Sequence, residues 1–100
     1  MTIARPMISF DEQRRPALAP GVRLQTDKLT GEPVLVFPEG ILLINSTAHD
    51  IVSRCDGKRT VAEILSVLAE EYEVEPEDLR GDVIECLADL NRRKLLRFAT

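Results

Sequence analysis

The sequence predicts a small α+β domain of winged-helix-like arrangement, with a three-stranded antiparallel sheet followed by three helices. Three observations predict it. Short β-forming runs separated by tight turns fill residues 21–45. Apolar residues at helical spacing, opened by capping residues, fill most of the remainder. The chain has 100 residues, which suits one hydrophobic core and no more.

The strands come first. Val22, Leu24 and Thr26 alternate with Arg23 and Gln25, the pattern of a half-buried strand with one wet face. Asp27-Lys28-Leu29-Thr30-Gly31 is turn chemistry, and Val34-Leu35-Val36-Phe37 is a continuous apolar run. Pro38-Glu39-Gly40 turns the chain again into Ile41-Leu42-Leu43-Ile44. Connections this short favour an antiparallel meander whose first and last strands are edges.

The helices follow. Asn45 or Ser46 can cap a first helix over about residues 47–54, closed by Asp56-Gly57. Thr60-Val61-Ala62-Glu63 is a capping box, and Val61, Ile64, Leu65 and Leu68 recur at the spacing of an amphipathic helix reaching about Tyr72. Glu75-Pro76-Glu77-Asp78 opens a third helix, with proline at a tolerant first position and acids at the positive end of the macrodipole. Its apolar stripe is Leu79, Val83, Leu87 and Leu90, widened by Ile84 and Cys86. Leu95 to Phe98 can add a short final strand or simply dock.

Residues 1–20 show no sustained period, and three prolines interrupt them, so they read as an extended arm or tail. The expected division is a flexible arm over residues 1–15 and a folded domain over 16–100. The arm's Ile3, Met7, Ile8 and Phe10 could dock on the body or on a second copy.

Composition narrows the function. Apolar residues make up 44% and charged residues 30%, the mix of a soluble globular chain. Thirteen basic against 17 acidic residues leave a net charge of −4, which repels phosphate backbones. The third helix, which a winged-helix DNA binder would place in the major groove, carries Glu77, Asp78, Asp82, Glu85 and Asp89 against Arg80 and Arg92. A DNA-binding role is therefore the weakest alternative, and no membrane span is expected. Cys55 and Cys86 form neither a CxxC motif nor a disulfide framework, which fits a reducing cytoplasmic setting.

Catalytic chemistry finds no constellation. His49 is the only histidine, and its neighbour Asp50 projects about 100° away on a helix. A Cys/His zinc site lacks ligands, the acids of residues 70–78 lack the central glycine of a calcium loop, and no glycine-rich loop is present. No cofactor, metal or enzymatic activity is expected.

The unusual feature is the third strand, where Ile41 and Leu43 face one way, Leu42 and Ile44 the other, and all four are apolar. An edge strand with no internal charge or proline can accept an extended peptide by β-augmentation. The third helix would form the far wall with Val83, Cys86 and Leu90, rimmed by Asp82, Glu85 and Asp89. Two kinds of occupant fit this edge: a peptide, or a protein segment such as the arm, the last strand or a second copy.

Several stretches together resemble the family of pyrroloquinoline quinone biosynthesis protein D (PqqD). They are Leu18-Ala19-Pro20-Gly21-Val22-Arg23-Leu24, Val34-Leu35-Val36-Phe37-Pro38-Glu39-Gly40, and Leu43-Ile44-Asn45-Ser46-Thr47-Ala48. Ile51, Asp56-Gly57, Thr60-Val61-Ala62-Glu63-Ile64, Tyr72, Asp82-Val83 and Leu87-Ala88-Asp89-Leu90 continue it, so that the resemblance covers about residues 16–97. It departs near the end of the third helix, where the family usually has glycine and this chain has Arg93-Lys94. The resemblance implies a peptide chaperone, the recognition element for a ribosomally made, modified peptide. Such a domain binds the precursor peptide PqqA and presents it to the radical S-adenosylmethionine enzyme PqqE. In related domains the peptide adds to the third strand and lies against the third helix. Carried onto this sequence, the implied peptide-binding residues are Ile41, Leu42, Leu43, Ile44 and Asn45 on the strand, with Asp82, Val83, Cys86, Asp89 and Leu90 on the helix. A dimeric scaffold with an arm-swapped sheet edge is the alternative of a different class.

Overall fold

The computed structural model describes residues 11–99, so most of the expected arm, residues 1–10, lies outside the described residues. The elements in chain order are β1 (Arg15–Leu18), β2 (Arg23–Thr26), β3 (Pro33–Phe37), β4 (Gly40–Leu43), α1 (Ser46–Val52), α2 (Val61–Tyr72), α3 (Pro76–Arg92) and β5 (Leu96–Ala99). The predicted α+β class, antiparallel meander and three helices are all present.

Strands β2, β3 and β4 pair antiparallel in that order. Leu24, Leu35 and Leu42 stand opposite one another across the three strands and form the row that meets the helices. Leu35, at the centre of that row, is fully buried. On the outer face Val36 stands opposite Ile41 and Val34 opposite Leu43. The first turn is organised by Asp27, whose carboxylate accepts the Leu29 N–H at 2.8 Å while its carbonyl accepts the Gly31 N–H at 2.7 Å.

Each helix starts where its capping residue dictates. The Asn45 side chain accepts the Ala48 N–H at 2.7 Å, so α1 begins one residue earlier than expected. It also ends earlier: Arg54 and Cys55 already donate to Ile51 and Val52 in tighter i→i−3 turns. Both halves of the capping box form at α2, with Thr60 N–H to Glu63 at 2.8 Å and Glu63 N–H to the Thr60 hydroxyl at 3.1 Å. The apolar stripes of α2 and α3 meet the sheet in one core containing Leu35, Ile51, Val61, Ile64, Leu68, Val83, Leu87 and Leu96. Of the expected α3 stripe, Val83, Leu87 and Leu90 are buried, and Leu79 and Cys86 pack against them from the margin.

One element departs from the expectation of an arm over residues 1–20. Arg15–Leu18 is a strand, paired antiparallel with β5 from Arg15↔Ala99 to Leu18↔Leu96 in a separate two-stranded sheet. The pairing joins opposite ends of the chain, so no local periodicity announces it. Pro16 is fully buried, and its carbonyl accepts the Gly57 N–H at 2.9 Å. Gly57 has φ of 78°, and a Cβ there would lie 3.4 Å from that of Ala17. The Asp56-Gly57 turn, which follows the end of α1 rather than making it, therefore seats β1.

No helix among the described residues is long and apolar enough to cross a membrane.

Candidate functional site: a groove between the β4 edge and α3

Strand β4 pairs with β3 alone among the described residues, so its other side is an open edge. The Ile44 N–H donates to the Pro33 carbonyl at 3.3 Å, which makes that pair a hydrogen-bonded one. Antiparallel alternation then directs the Leu42 backbone toward β3 and the N–H and C=O groups of Ile41 and Leu43 outward. The edge thus offers two donor–acceptor residues, with neither charge nor proline among Ile41–Ile44 to obstruct pairing.

Beside this edge runs a groove floored by α3. One depression, of about 240 Å³, is lined by Leu42, Leu43, Ile44, Cys86, Leu90 and Arg93, among others. It shares Asn45, Ala48, Cys86 and Asp89 with a second, of about 560 Å³, which continues toward Thr47, Ile51, Asp82, Glu85 and Arg92. The two form one continuous channel between β4, the start of α1 and the exposed flank of α3.

Most of the expected site residues come together here. Leu42, Leu43, Ile44, Asn45, Asp82, Cys86, Asp89 and Leu90 line the channel. Val83 does not: it is 1% exposed inside the core, where it packs with Leu87 and holds α3 onto the body. Ile41 lies at the edge but outside the channel, its side chain 65% exposed on the outer face of the sheet beside Leu43 at 68%. Sequence reasoning missed Thr47, Ala48, Ile51, Arg92 and Arg93. The cap at Asn45 was the available signal for Thr47 and Ala48, since it sets them in the first turn of α1 directly after the edge strand.

The groove's charge divides along its length. At one end Asp89 accepts from Arg92 at 2.7 Å and from Arg93 at 3.0 Å. Arg93 first, then Arg92, holds the Asp89 carboxyl below the usual carboxylate range. At the other end Asp82 and Glu85 are exposed on the same helix flank. The thiols are poor nucleophiles: burial pushes Cys86 up to about 11, with a contribution from Asp89, and Cys55 up to about 12, with contributions from Cys86 and Asp56. His49 sits 3.5 Å from Asp50, but the Asp50 carboxylate also accepts the hydroxyl of Tyr72. That bond raises the Tyr72 pKa and, with the Arg54–Glu71 ion pair, fastens α1 to the end of α2. No group of three or more metal-ligating side chains exists among the described residues.

Three antiparallel strands backed by three helices, with an open sheet edge alongside a helix-floored channel, define a small α+β domain of winged-helix-like arrangement. Comparison with known proteins then fixes the family. The family model described as coenzyme PQQ synthesis protein D (PqqD) matches residues 32–96, and the chain belongs to that family. It is 38% identical over 92 residues to a "PqqA binding protein" of Xanthomonas oryzae pv. oryzae, covering 92% of this chain and 100% of the relative. A homologue of the same name from Xanthomonas axonopodis pv. citri is 36% identical over the same shares. Among solved structures, it resembles the solution structure of the PqqD truncation of Methylobacterium extorquens PqqCD, described as a functional, stand-alone recognition element for ribosomally synthesized, modified peptides. That match has a TM-score of 0.77 and 29% identity and covers 89% of this chain and 95% of that one. The crystal structure of PqqD from Xanthomonas campestris matches with a TM-score of 0.56 and 33% identity, over 96% and 99%.

Proposed function

We propose that this domain binds the precursor peptide PqqA as an added strand on the β4 edge and presents it to the radical S-adenosylmethionine enzyme PqqE. The observation that carries this reading is the conjunction of the open Ile41–Leu43 backbone with the channel beside it. Main-chain bonds to Ile41 and Leu43 would supply affinity, while alternate side chains of the peptide enter the channel against Leu42, Ile44, Cys86 and Leu90. Asn45, Asp82 and Asp89 would offer polar contacts along it. The relatives' names as PqqA binding proteins support the choice of peptide. The domain needs no catalytic group in this role: holding the peptide on a carrier that also binds the enzyme raises its local concentration at the active site.

Titration of the isotopically labelled domain with PqqA, followed by amide shifts, tests the reading. Shifts at residues 41–45 together with the 82–90 flank of α3 are expected. Shifts on α3 that leave residues 41–45 unmoved would rule out strand addition. The same edge could instead pair with a second copy, and sedimentation without peptide separates that case, since self-pairing gives a concentration-dependent dimer that PqqA dissociates.

A further inference from the structure

A second surface of the domain has a different character. On the two-stranded sheet, Arg15 and Arg97 are diagonal neighbours on the outward face, because Arg15 stands opposite Ala99 and Ala17 opposite Arg97. The Arg15 side chain reaches the 56–59 loop and donates from Nε to the Lys58 carbonyl at 3.1 Å. That loop bridges β1 at Ala17↔Asp56 and exposes Lys58 and Arg59. Adjoining them on α2 is a shallow depression of about 610 Å³, lined by Lys58, Arg59, Ala62, Glu63, Ser66 and Val67. None of these residues lines the β4–α3 groove.

The charge here is one-sided. Four exposed cations, Arg15, Lys58, Arg59 and Arg97, stand with the carboxylates of Asp56 and Glu63, while Glu12, whose carbonyl accepts the Ala62 N–H, has its own carboxylate paired with Arg80. The first two carboxylates are turned toward backbone. Asp56 accepts the N–H groups of Lys58 at 2.8 Å and Arg59 at 3.0 Å, and Glu63 accepts that of Thr60. Only Arg59 contacts either acid side chain to side chain among the described residues, at 3.5 Å from Asp56. A cationic rim around an apolar floor of Ala62 and Val67 therefore stands on a chain whose net charge is −4.

We propose that this face docks an acidic surface patch of a partner protein, so that the domain holds its peptide on one surface and the partner on another. The partner is the enzyme to which the peptide is presented, so its identity rests on the preceding reading. The complementarity is electrostatic at the rim and apolar at the centre, the usual division of a protein interface. Opposed charge mainly speeds and orients the encounter, and the apolar floor slows dissociation. A nucleic acid is the poorer fit, since the chain as a whole repels phosphate backbones.

The test combines a charge-reversed variant, Lys58→Glu with Arg97→Glu, and a conservative one, Lys58→Arg with Arg97→Lys. Both positions are exposed and outside the core, and an unchanged amide spectrum at the β4–α3 groove checks the fold. Binding to PqqE and to PqqA is measured separately by titration calorimetry at low and physiological salt. The expected result is at least a tenfold loss of enzyme binding in the reversed variant, none in the conservative variant, and unchanged peptide binding in both. Enzyme affinity of the natural chain should also fall as salt rises. Equal enzyme binding by the natural and reversed chains overturns the proposal, as does no enzyme binding by the natural chain. Salt-sensitive binding to duplex DNA or anionic vesicles that vanishes with the reversal, while enzyme binding persists, reassigns the face and also overturns it. If PqqA fails to bind but enzyme binding responds to the reversal as expected, the docking face stands and the peptide reading falls.

Discussion

Ile41 and Leu42 are neighbours on β4 that serve opposite surfaces. Leu42 stands across from the fully buried Leu35 and packs against the core, whereas Ile41 is 65% exposed. Substitutions at the two positions should therefore separate folding from binding. Leu42→Ala is expected to lower stability by about 1–3 kcal/mol, less than a fully buried leucine because one flank faces the groove. Ile41→Thr, which keeps the β-branch, should change it by less than about 0.5 kcal/mol. Urea unfolding measures both. In the peptide titration Ile41→Thr should weaken binding by up to about fivefold, the cost of one cross-strand contact on the outer face.

The outward direction of the Leu43 backbone leads to a sharper test. Leu43 lies in a pair whose amide does not bond β3, because the hydrogen-bonded pair is its neighbour Ile44 with Pro33. Proline is tolerated on an edge strand where its missing N–H would face solvent. Leu43→Pro should accordingly preserve the far-ultraviolet dichroism and a cooperative unfolding transition while removing the donor that an added strand needs. Peptide binding should drop at least tenfold. Unaltered binding would show that the peptide lies in the channel without joining the sheet.

Helix α3 ends in a left-handed residue that is not glycine. Lys94 has φ of 66°, and around it the Leu95 N–H donates to Leu90 and the Lys94 N–H to Asn91, both at 2.9 Å. This is a Schellman arrangement, and Leu90 and Leu95 supply its apolar contact. The Arg93-Lys94 departure from the family's usual glycine therefore leaves the helix end and β5 in place, with strain at Lys94. Lys94→Gly removes the Cβ conflict and should stabilise the fold by about 0.5–1 kcal/mol in thermal or urea unfolding.

Elements governed by neighbours in sequence were legible in advance. Thr60 and Glu63 announce α2 because their capping bonds span three residues, and the alternation of Val22 to Thr26 announces β2 because one face is wet. The all-apolar run at Ile41–Ile44 marked the edge itself. Strand β1 was not legible, since Pro16 and Ala17 acquire their strand only through residues 97 and 98 and the Gly57 turn. Val83 was misplaced in the groove for a related reason. Periodicity fixes which residues share a helix face, but the rotation of α3 against the sheet decides which margin of that face stays open, and here Cys86 occupies it.

Asp56 gives the fold a defined acid response. The backbone N–H groups of Lys58 and then Arg59 hold its carboxyl below the ordinary value of 3.8. A depressed folded-state pKa contributes stability that is present above the unfolded value and is lost as pH falls through the folded one. The loss belongs below about pH 4, and neutral pH should leave it untouched. Asp56→Asn keeps an acceptor in the turn but does not titrate there, so its stability deficit relative to the natural chain should shrink between pH 5 and pH 2. A deficit constant across that range, measured by urea unfolding at each pH, would show that the turn does not couple to protonation.

Cys86 reports on the groove directly. Its thiol lines both parts of the channel and is pushed up to about 11, whereas Cys55 is more deeply buried and pushed up to about 12. At pH 7.5 both are protonated, so alkylation by iodoacetamide should be far slower than for a free thiol of ordinary acidity, and faster at Cys86 than at Cys55. The rate at Cys86 should rise about tenfold per pH unit while the pH remains well below 11 and the fold holds, because the thiolate fraction rises in that proportion. Saturating PqqA should suppress alkylation at Cys86 and leave Cys55 unchanged, which peptide mapping by mass spectrometry can resolve. Protection at Cys55 alone would instead place the peptide's effect in the core, as a global tightening of the fold, since Cys55 has no side in the channel.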